Sequence, residues 1–274
     1  MDLQLKGKRA LVTGSSAGIG RAIAQVLARE GVTVAVHGRS IERTRETARM
    51  IGAGGGTAHV VIGNLATDEG AEAVIGAVRE GLGGVDILVN NIGGNESAGG
   101  GLNGWFNDTP DVWTGTMQQN LVAPVRMIHA FVPAMRERGW GRVINIASAG
   151  GSQPVPQAAA YCAAKAAVIN LTVSLSIELA RSGVTVNTVS PGTTRTEGFE
   201  QRTLARLAEA KGWPADLDAR EQAFMDLGLF ACSSELYGRP EEIGTLVAFL
   251  ASPLAGFANG ANYRIDGGQV QSVN

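Results

Sequence analysis

The 274-residue sequence predicts an α/β chain built on a doubly wound parallel sheet. Three observations carry that expectation. Short β-branched runs alternate with longer segments of helical period. The runs show little polar alternation, as strands covered on both faces require. The first run passes through a glycine-rich turn directly into a helix.

Taken in order, the strands begin with RALVTG at Arg9, VTVAVHG at Val32 and TAHVVIG at Thr57. DILVNN at Asp86, RVINIAS at Arg142, VTVNTVS at Val184 and NYRID at Asn262 follow. Between the first two lies GIGRAIAQVLARE, where Ile19, Ile23, Val26 and Leu27 share one helical face. Further helices are expected at SIERTRETARMI, EGAEAVIGAVREG, PDVWTGTMQQNLVAPVRMIHAFVPAMRER and AAAYCAAKAAVINLTVSLSIELARSG. The βαβ rhythm implies right-handed crossovers. No linker, repeat or charge block divides the chain, so one domain over 1–274 is expected. The rhythm breaks between Thr193 and Pro240, which hold no strand pattern but contain Phe199, Trp213, Phe224, Phe230 and Tyr237. A stretch that long and that aromatic predicts a helical lid over a site.

Composition narrows the function classes. With 23 basic against 25 acidic residues the net charge is -2, which argues against nucleic acid or an anionic membrane as principal partner. Glycine is abundant at 38 residues, about twice its usual share of roughly 7%. Cys162 and Cys232 stand outside any metal-like spacing, and a reduced compartment fits them. The N-terminal segment MDLQLKGKRALVTG is too short in apolar residues for a signal peptide, and Pro253 interrupts the most apolar late segment. A soluble, cytoplasmic protein is expected. No metal site is expected: His37, His59 and His129 are isolated and read as structural, and Cys162 reads as a packed thiol.

The turn TGSSAGIG places Gly14, Ser15, Ser16, Gly18, Ile19 and Gly20 at the start of the first helix. Such a turn lets the backbone approach a ligand, and a helix N-terminus suits pyrophosphate. The spacing is a variant of the dinucleotide fingerprint. The second strand ends in VHGRS. Gly38 takes the place of the acidic residue that would hold the ribose hydroxyls of NAD, and Arg39 and Ser40 follow. A guanidinium with no competing carboxylate favours a 2′-phosphate and hence NADP(H). Ser40 also suits the N-cap of the next helix.

The segment YCAAKAA sets Tyr161 and Lys165 four residues apart, on one helix face. A lysine cation lowers a phenol's pKa, and a phenol tuned toward neutrality exchanges protons with a carbonyl or alcohol oxygen. Ser148, at the end of the fifth strand, can hydrogen-bond the same oxygen.

Together these motifs resemble the short-chain dehydrogenases/reductases over about Leu5 to Gly268. The similarity adds NNIG at 90–93, Asn120 in QQNL, PGTTRT at 191–196 and IDGG at 265–268. It implies a Rossmann-type fold, a nicotinamide cofactor and a catalytic group of Asn120, Ser148, Tyr161 and Lys165. It further implies that Tyr161 and Lys165 meet the cofactor, that Lys165 holds the nicotinamide ribose, and that Asn120 anchors a relaying water. Pro191, Gly192, Thr194 and Thr196 are implied beside the nicotinamide, Asn64 and Leu65 beside the adenine, and Asn91, Ile92 and Gly93 along the adenosine half. The family also suggests a homotetramer or homodimer. Three positions depart from its pattern: Ile92 replaces the usual alanine, Asn64 the usual aspartate, and a glycine-rich stretch follows Gly93–Gly94.

The resulting expectation is an NADP(H)-dependent oxidoreductase acting on a ketone or secondary alcohol of a small, mostly apolar substrate. Gly94, Asn95, Gln153, Val155 and Phe199 are expected to shape the pocket around Ser148 and Tyr161. A 3-oxoacyl-(acyl-carrier-protein) reductase is the first alternative, although Ile177 stands where such reductases commonly carry a docking arginine. A non-catalytic NADP(H)-binding regulator is the alternative of another class.

Overall fold

The computed structural model of the chain describes residues 1–94, 104–228, 233–234 and 237–272, apart from the side chains at 202 and 203. Asn95, Phe230 and Cys232 therefore lie outside the described residues. Seven strands form one sheet: β1 (Arg9–Val12), β2 (Thr33–Gly38), β3 (Thr57–Ile62), β4 (Ile87–Asn90), β5 (Gly141–Ile146), β6 (Val184–Pro191) and β7 (Asn262–Ile265). Their order is β3-β2-β1-β4-β5-β6-β7, and every pairing is parallel. All seven start where the sequence places them to within a residue. The order reverses between β1 and β4, the point at which such sheets open a crevice at their carboxyl ends.

Helices cover both faces. They are α1 (Gly18–Arg29), α2 (Ile41–Ala53), α3 (Asp68–Leu82), α4 (Pro110–Met117), α5 (Ala123–Glu137), α6 (Ala159–Glu178), α7 (Ala205–Lys211), α8 (Leu217–Met225) and α9 (Pro240–Ala251). Strand side chains alternate between two cores. Ala10, Val12, Val34, Val36, Ile87, Val89, Ile144 and Ile146 face the α1 and α9 side with Ile23, Leu27, Ile243 and Val247. Leu11, Ala35, Leu88 and Val143 face the other side with Val74, Val78, Met127 and Phe131. Both faces are apolar, which is why the strands lack polar alternation.

Several caps follow the sequence. Ser40, Thr67 and Thr109 accept from backbone N–H groups at the starts of α2, α3 and α4. One expectation shifts. The long helix between β4 and β5 is interrupted at Gln118–Val122, where the backbone widens into a π-turn, whereas Pro133 stays inside α5. Such single wide turns tend to sit at functional positions, and this one carries Asn120.

Between β6 and α9 the chain forms a π-turn at Phe199–Leu204, then α7 and α8. A third, smaller core holds it together. Phe199, Phe224 and Tyr237 meet edge-to-face at centroid separations of 5.3, 5.7 and 6.0 Å, with Leu204 buried beneath.

Candidate active site

The glycine turn is assembled by its neighbours before any ligand is considered. Gly14 and Gly18 adopt φ of +65° and +54°, a region glycine enters without steric cost. The His37 imidazole spans the turn: Nδ1 accepts the Gly14 N–H at 3.0 Å, and Nε2 meets the Gly63 carbonyl at 3.1 Å. Burial pushes His37 down to about 4, so at neutral pH it is the uncharged tautomer that can both accept and donate. Asn91 Nδ2 donates to the carbonyls of Thr13 and Gly14 at 3.0 and 3.1 Å, tying the β4 end to the turn. A side chain at Gly20 would run into Asn91 Nδ2 and the Gly14 carbonyl, so α1 can begin here only with glycine. Ala17 gives α1 no side-chain cap and its first turn holds no acid, leaving N–H groups and the positive dipole end unanswered.

The catalytic candidates converge from three elements. β5 ends so that Ser148 caps the short turn Ala149–Gly151, accepting from Gly150 N–H at 3.1 Å. α6 presents Tyr161 and, one turn on, Lys165, whose Nζ lies 5.6 Å from the Tyr161 ring centroid. Ser148 lies beside Tyr161, close enough to act on its phenol. Lys165 is buried, donates to the Ile146 carbonyl at 2.9 Å, and is pushed down to about 8 by burial. The phenol behaves differently from the sequence expectation. Enclosure in the cleft pushes Tyr161 up, and the group that lowers it is Ser148 rather than the lysine. Desolvation penalises phenolate more than this distance of charge compensates.

Asn120 turns inward. It is fully buried, accepts from Gly94 N–H at 3.1 Å, and donates to the carbonyls of Gly94 and Thr116 at 3.0 Å each. Its amide thereby fixes the loop after β4. Gly93 lies against it: a Cβ there would come within 2.7 Å of Asn120 Oδ1 and 2.8 Å of Lys165 Nζ.

The glycine turn, Ser148, Tyr161, Lys165 and Gly93 line one cleft of about 460 Å³ that runs along the carboxyl ends of the strands, with Asn120 behind its wall. Of the sequence-predicted cofactor residues, Gly14, Ser16, Gly18, Ile19, Gly20, Arg39, Asn64, Asn91, Ile92, Gly93, Pro191, Gly192 and Thr196 line it, together with Ser148, Tyr161, Lys165 and Gly94. Arg39 is exposed at its edge and makes no ion pair among the described residues. Other expected residues sit behind the wall. Ser15 is wholly buried, donating to the Val12 carbonyl at 2.7 Å, and Leu65 belongs to the core. Ser40 caps α2 and donates to Glu42, and Thr194 donates to the Gly192 carbonyl. Asn64, at the cleft wall, turns its Oδ1 to accept from Ala66 N–H at 3.2 Å. Phe199 packs into the lid's own core, and Gln153 is engaged by the backbone of Gln271. Gln119 and His37 line the cleft without having been singled out for it. His37 belongs to a strand and Gln119 to a helix, and nothing local in either segment signals a ligand.

The comparisons agree with this geometry. The family model of short chain dehydrogenases matches residues 8–206. The uncharacterized oxidoreductase YvaG of Bacillus subtilis is 38% identical over 275 residues, covering all of both chains. The 3-oxoacyl-[acyl-carrier-protein] reductase of Vibrio cholerae is 36% identical, covering 97% of this chain and 98% of that one. Among solved structures, L-sorbose reductase from Gluconobacter frateurii, complexed with NADPH and L-sorbose, superposes with a TM-score of 0.91 at 32% identity, over all of both chains. The chain belongs to the short-chain dehydrogenases/reductases. It is an oxidoreductase that moves hydride between a nicotinamide cofactor and a C=O/CH–OH group, an enzyme rather than a non-catalytic binding protein.

The residues present fit a dinucleotide. Glycines 14, 18 and 93 leave a floor that side chains would fill, and the uncapped start of α1 opens onto it. The cation Arg39 stands at one end, and the buried Lys165 at the other.

Proposed function

We propose that the protein is an NADP(H)-dependent carbonyl reductase or alcohol dehydrogenase for a small, mostly apolar substrate. The observation that carries this reading is the convergence of Ser148, Tyr161 and Lys165 at one end of a cleft whose other end holds the unpaired Arg39. Relatives with bound NADPH or NADP support the cofactor preference, since Arg39 offers charge-assisted hydrogen bonds to a 2′-phosphate.

Bound at this site, the nicotinamide supplies or accepts the hydride. Tyr161 gives its phenolic proton to the carbonyl oxygen in reduction and takes it back in oxidation. A phenol pushed up by burial is protonated at neutral pH, which suits the reductive direction. Ser148 donates to the same oxygen as charge builds there. Lys165, pushed down to about 8 by burial, would hold the ribose hydroxyls beside Tyr161. Asn120 holds Gly94 and the proton path beside it. Gly94, Asn95, Gln153, Val155 and the lid from about 193 to 240 shape the substrate side of what we take to be a single domain. We further place the enzyme in the cytoplasm as a homotetramer or homodimer.

Titration with NADPH and NADH, followed by absorbance at saturating cofactor against L-sorbose, a diketone, a cyclic ketone and a 3-oxoester, tests this reading. Tighter binding of NADH, or no turnover of any free carbonyl, would overturn it. Turnover of a 3-oxoacyl thioester on an acyl-carrier protein far above its free analogue would instead select the carrier-linked reductase. The exposed Ile177, 71% accessible on α6, offers such a carrier no cation.

A further inference from the structure

The last described residues do not trail from the sheet but cross to the substrate side. β7 ends at Ile265, and Asp266 then folds the chain back. One of its carboxylate oxygens accepts from Gly268 N–H at 3.0 Å and the other from Val270 N–H at 3.0 Å. Gly267 and Gly268 take φ of +60° and +79°, the left-handed turn that glycine makes cheaply. Val270 is buried, anchoring the turn.

From this turn two residues, Gln269 and Gln271, tie back to the segments that flank the cleft. Gln269 Oε1 accepts from the Thr193 backbone N–H at 3.0 Å and from its hydroxyl at 3.4 Å. Thr193 follows Gly192, which lines the cleft, and precedes the lid. On the opposite rim, Gln271 N–H donates to Gln153 Oε1 at 2.9 Å, in the loop that follows Ser148. A further bond, from Ser234 N–H to the Gly267 carbonyl at 3.0 Å, catches the far end of the lid.

Resting on the function proposed above, we infer that Gly267–Gln271 is a strap that sets the width of the substrate mouth, with Gln269 as its positioning residue. Gln269 does not line the cleft. It acts through Thr193, whose position fixes where the lid begins, while Gln271 holds the Ser148 loop from the same rigid turn. The strap therefore tunes capture of the carbonyl substrate and leaves the glycine cradle alone.

Gln269 uses only its oxygen, as an acceptor, and that makes the test sharp. Gln269→Glu keeps an acceptor at the same reach, whereas Gln269→Leu keeps the volume and loses the acceptor. Both variants and the parent protein are compared with NADPH bound, by hydrogen exchange of the peptides around 149–158 and 191–199 and by steady-state kinetics with ethyl acetoacetate. Gln269→Leu is expected to speed exchange around 191–199 roughly 3- to 10-fold, the range one lost neutral hydrogen bond gives. KM for the ester should rise by a similar factor, with the NADPH dissociation constant and kcat within about twofold of the parent. Gln269→Glu should match the parent in every reading. Parent-like exchange in Gln269→Leu, or equal disturbance by the Leu and Glu variants, would overturn the strap. If the parent reduces no carbonyl at all, the proposed function fails, and the exchange comparison still decides whether Gln269 holds the rim.

Discussion

The two sides of the cleft are held together by different means. On the cofactor side, the turn from Thr13 to Gly20 is fixed by backbone and short side chains: His37 on Gly14, Asn91 on Thr13 and Gly14, Ser15 on Val12. Every partner there is buried or half-buried, and most are set by strand register. On the substrate side, the lid depends on a small aromatic core and on a few ion pairs, among them Arg21 of α1 with Glu197 at 3.6 Å. Arg195 reaches Glu200, Asp218 and Glu221 at 3.1, 3.0 and 3.3 Å, with its own side chain 38% exposed. The partly exposed pairs with Glu200 and Asp218 add little, so the lid stands mainly on Phe199, Phe224 and Tyr237 and on the buried Glu221 that Arg195 meets. The contrast teaches where rigidity and adaptability are divided. The cradle is built once, from the sheet, while the lid is a satellite whose packing can change without disturbing it.

Four changes probe that division, the largest effect first. Tyr161 stands at the seam, and Tyr161→Phe should lower kcat by about 10³-fold or more while NADPH binding stays within a few-fold. Near-normal turnover would remove the proton donor from the scheme. Next, the cradle itself should be acid-sensitive through His37. Its folded pKa of about 4 lies below the usual 6.5, so the unfolded chain binds the extra proton first. Stability is thus complete above about pH 6.5 and falls as pH drops toward 4, by about 3 kcal/mol in all. Denaturant unfolding across that window measures it, and His37→Gln should flatten the slope. A parent slope as flat as the variant's would show that the imidazole is not held neutral.

Arg39→Ala comes third. Loss of one or two charge-assisted bonds of about 1.5–3 kcal/mol should weaken NADPH roughly 10- to 100-fold and leave NADH unchanged. Equal weakening of both cofactors would place Arg39 on the shared part of the dinucleotide. Smallest is Phe224→Ala, which truncates the lid core. It should raise KM for the carbonyl up to about tenfold, with NADPH affinity and the melting temperature nearly unchanged, because the lid opens as a local unit. A large drop in melting temperature would show that lid and sheet unfold together, and the comparison would collapse.

Much of this was legible along the chain. The strands announced themselves because both faces of a parallel sheet are apolar, and the first crossover because α1 carries helical periodicity between β1 and β2. Gly14, Gly18 and Gly20 were readable because a turn at a helix start needs them wherever it occurs. Tyr161 and Lys165 were readable because four residues on a helix bring side chains to one face. Phe199 was expected near the substrate, around Ser148 and Tyr161, but its ring turned into the lid core, a choice made by Phe224 and Tyr237 more than twenty residues away.

By itself, then, the sequence determined the sheet, the glycine turn and the placing of Tyr161 and Lys165 on one helix face, since each depends on local spacing or on period. Tertiary structure decided the rest. It made His37 a neutral clamp on Gly14, turned Asn120 toward Gly94, raised the Tyr161 phenol by enclosure, and brought Gln269 and Gln271 to opposite rims. Those outcomes depend on which distant segments come to lie within three or four ångströms, and on the burial that follows. Neither is encoded in the spacing of neighbours along the chain.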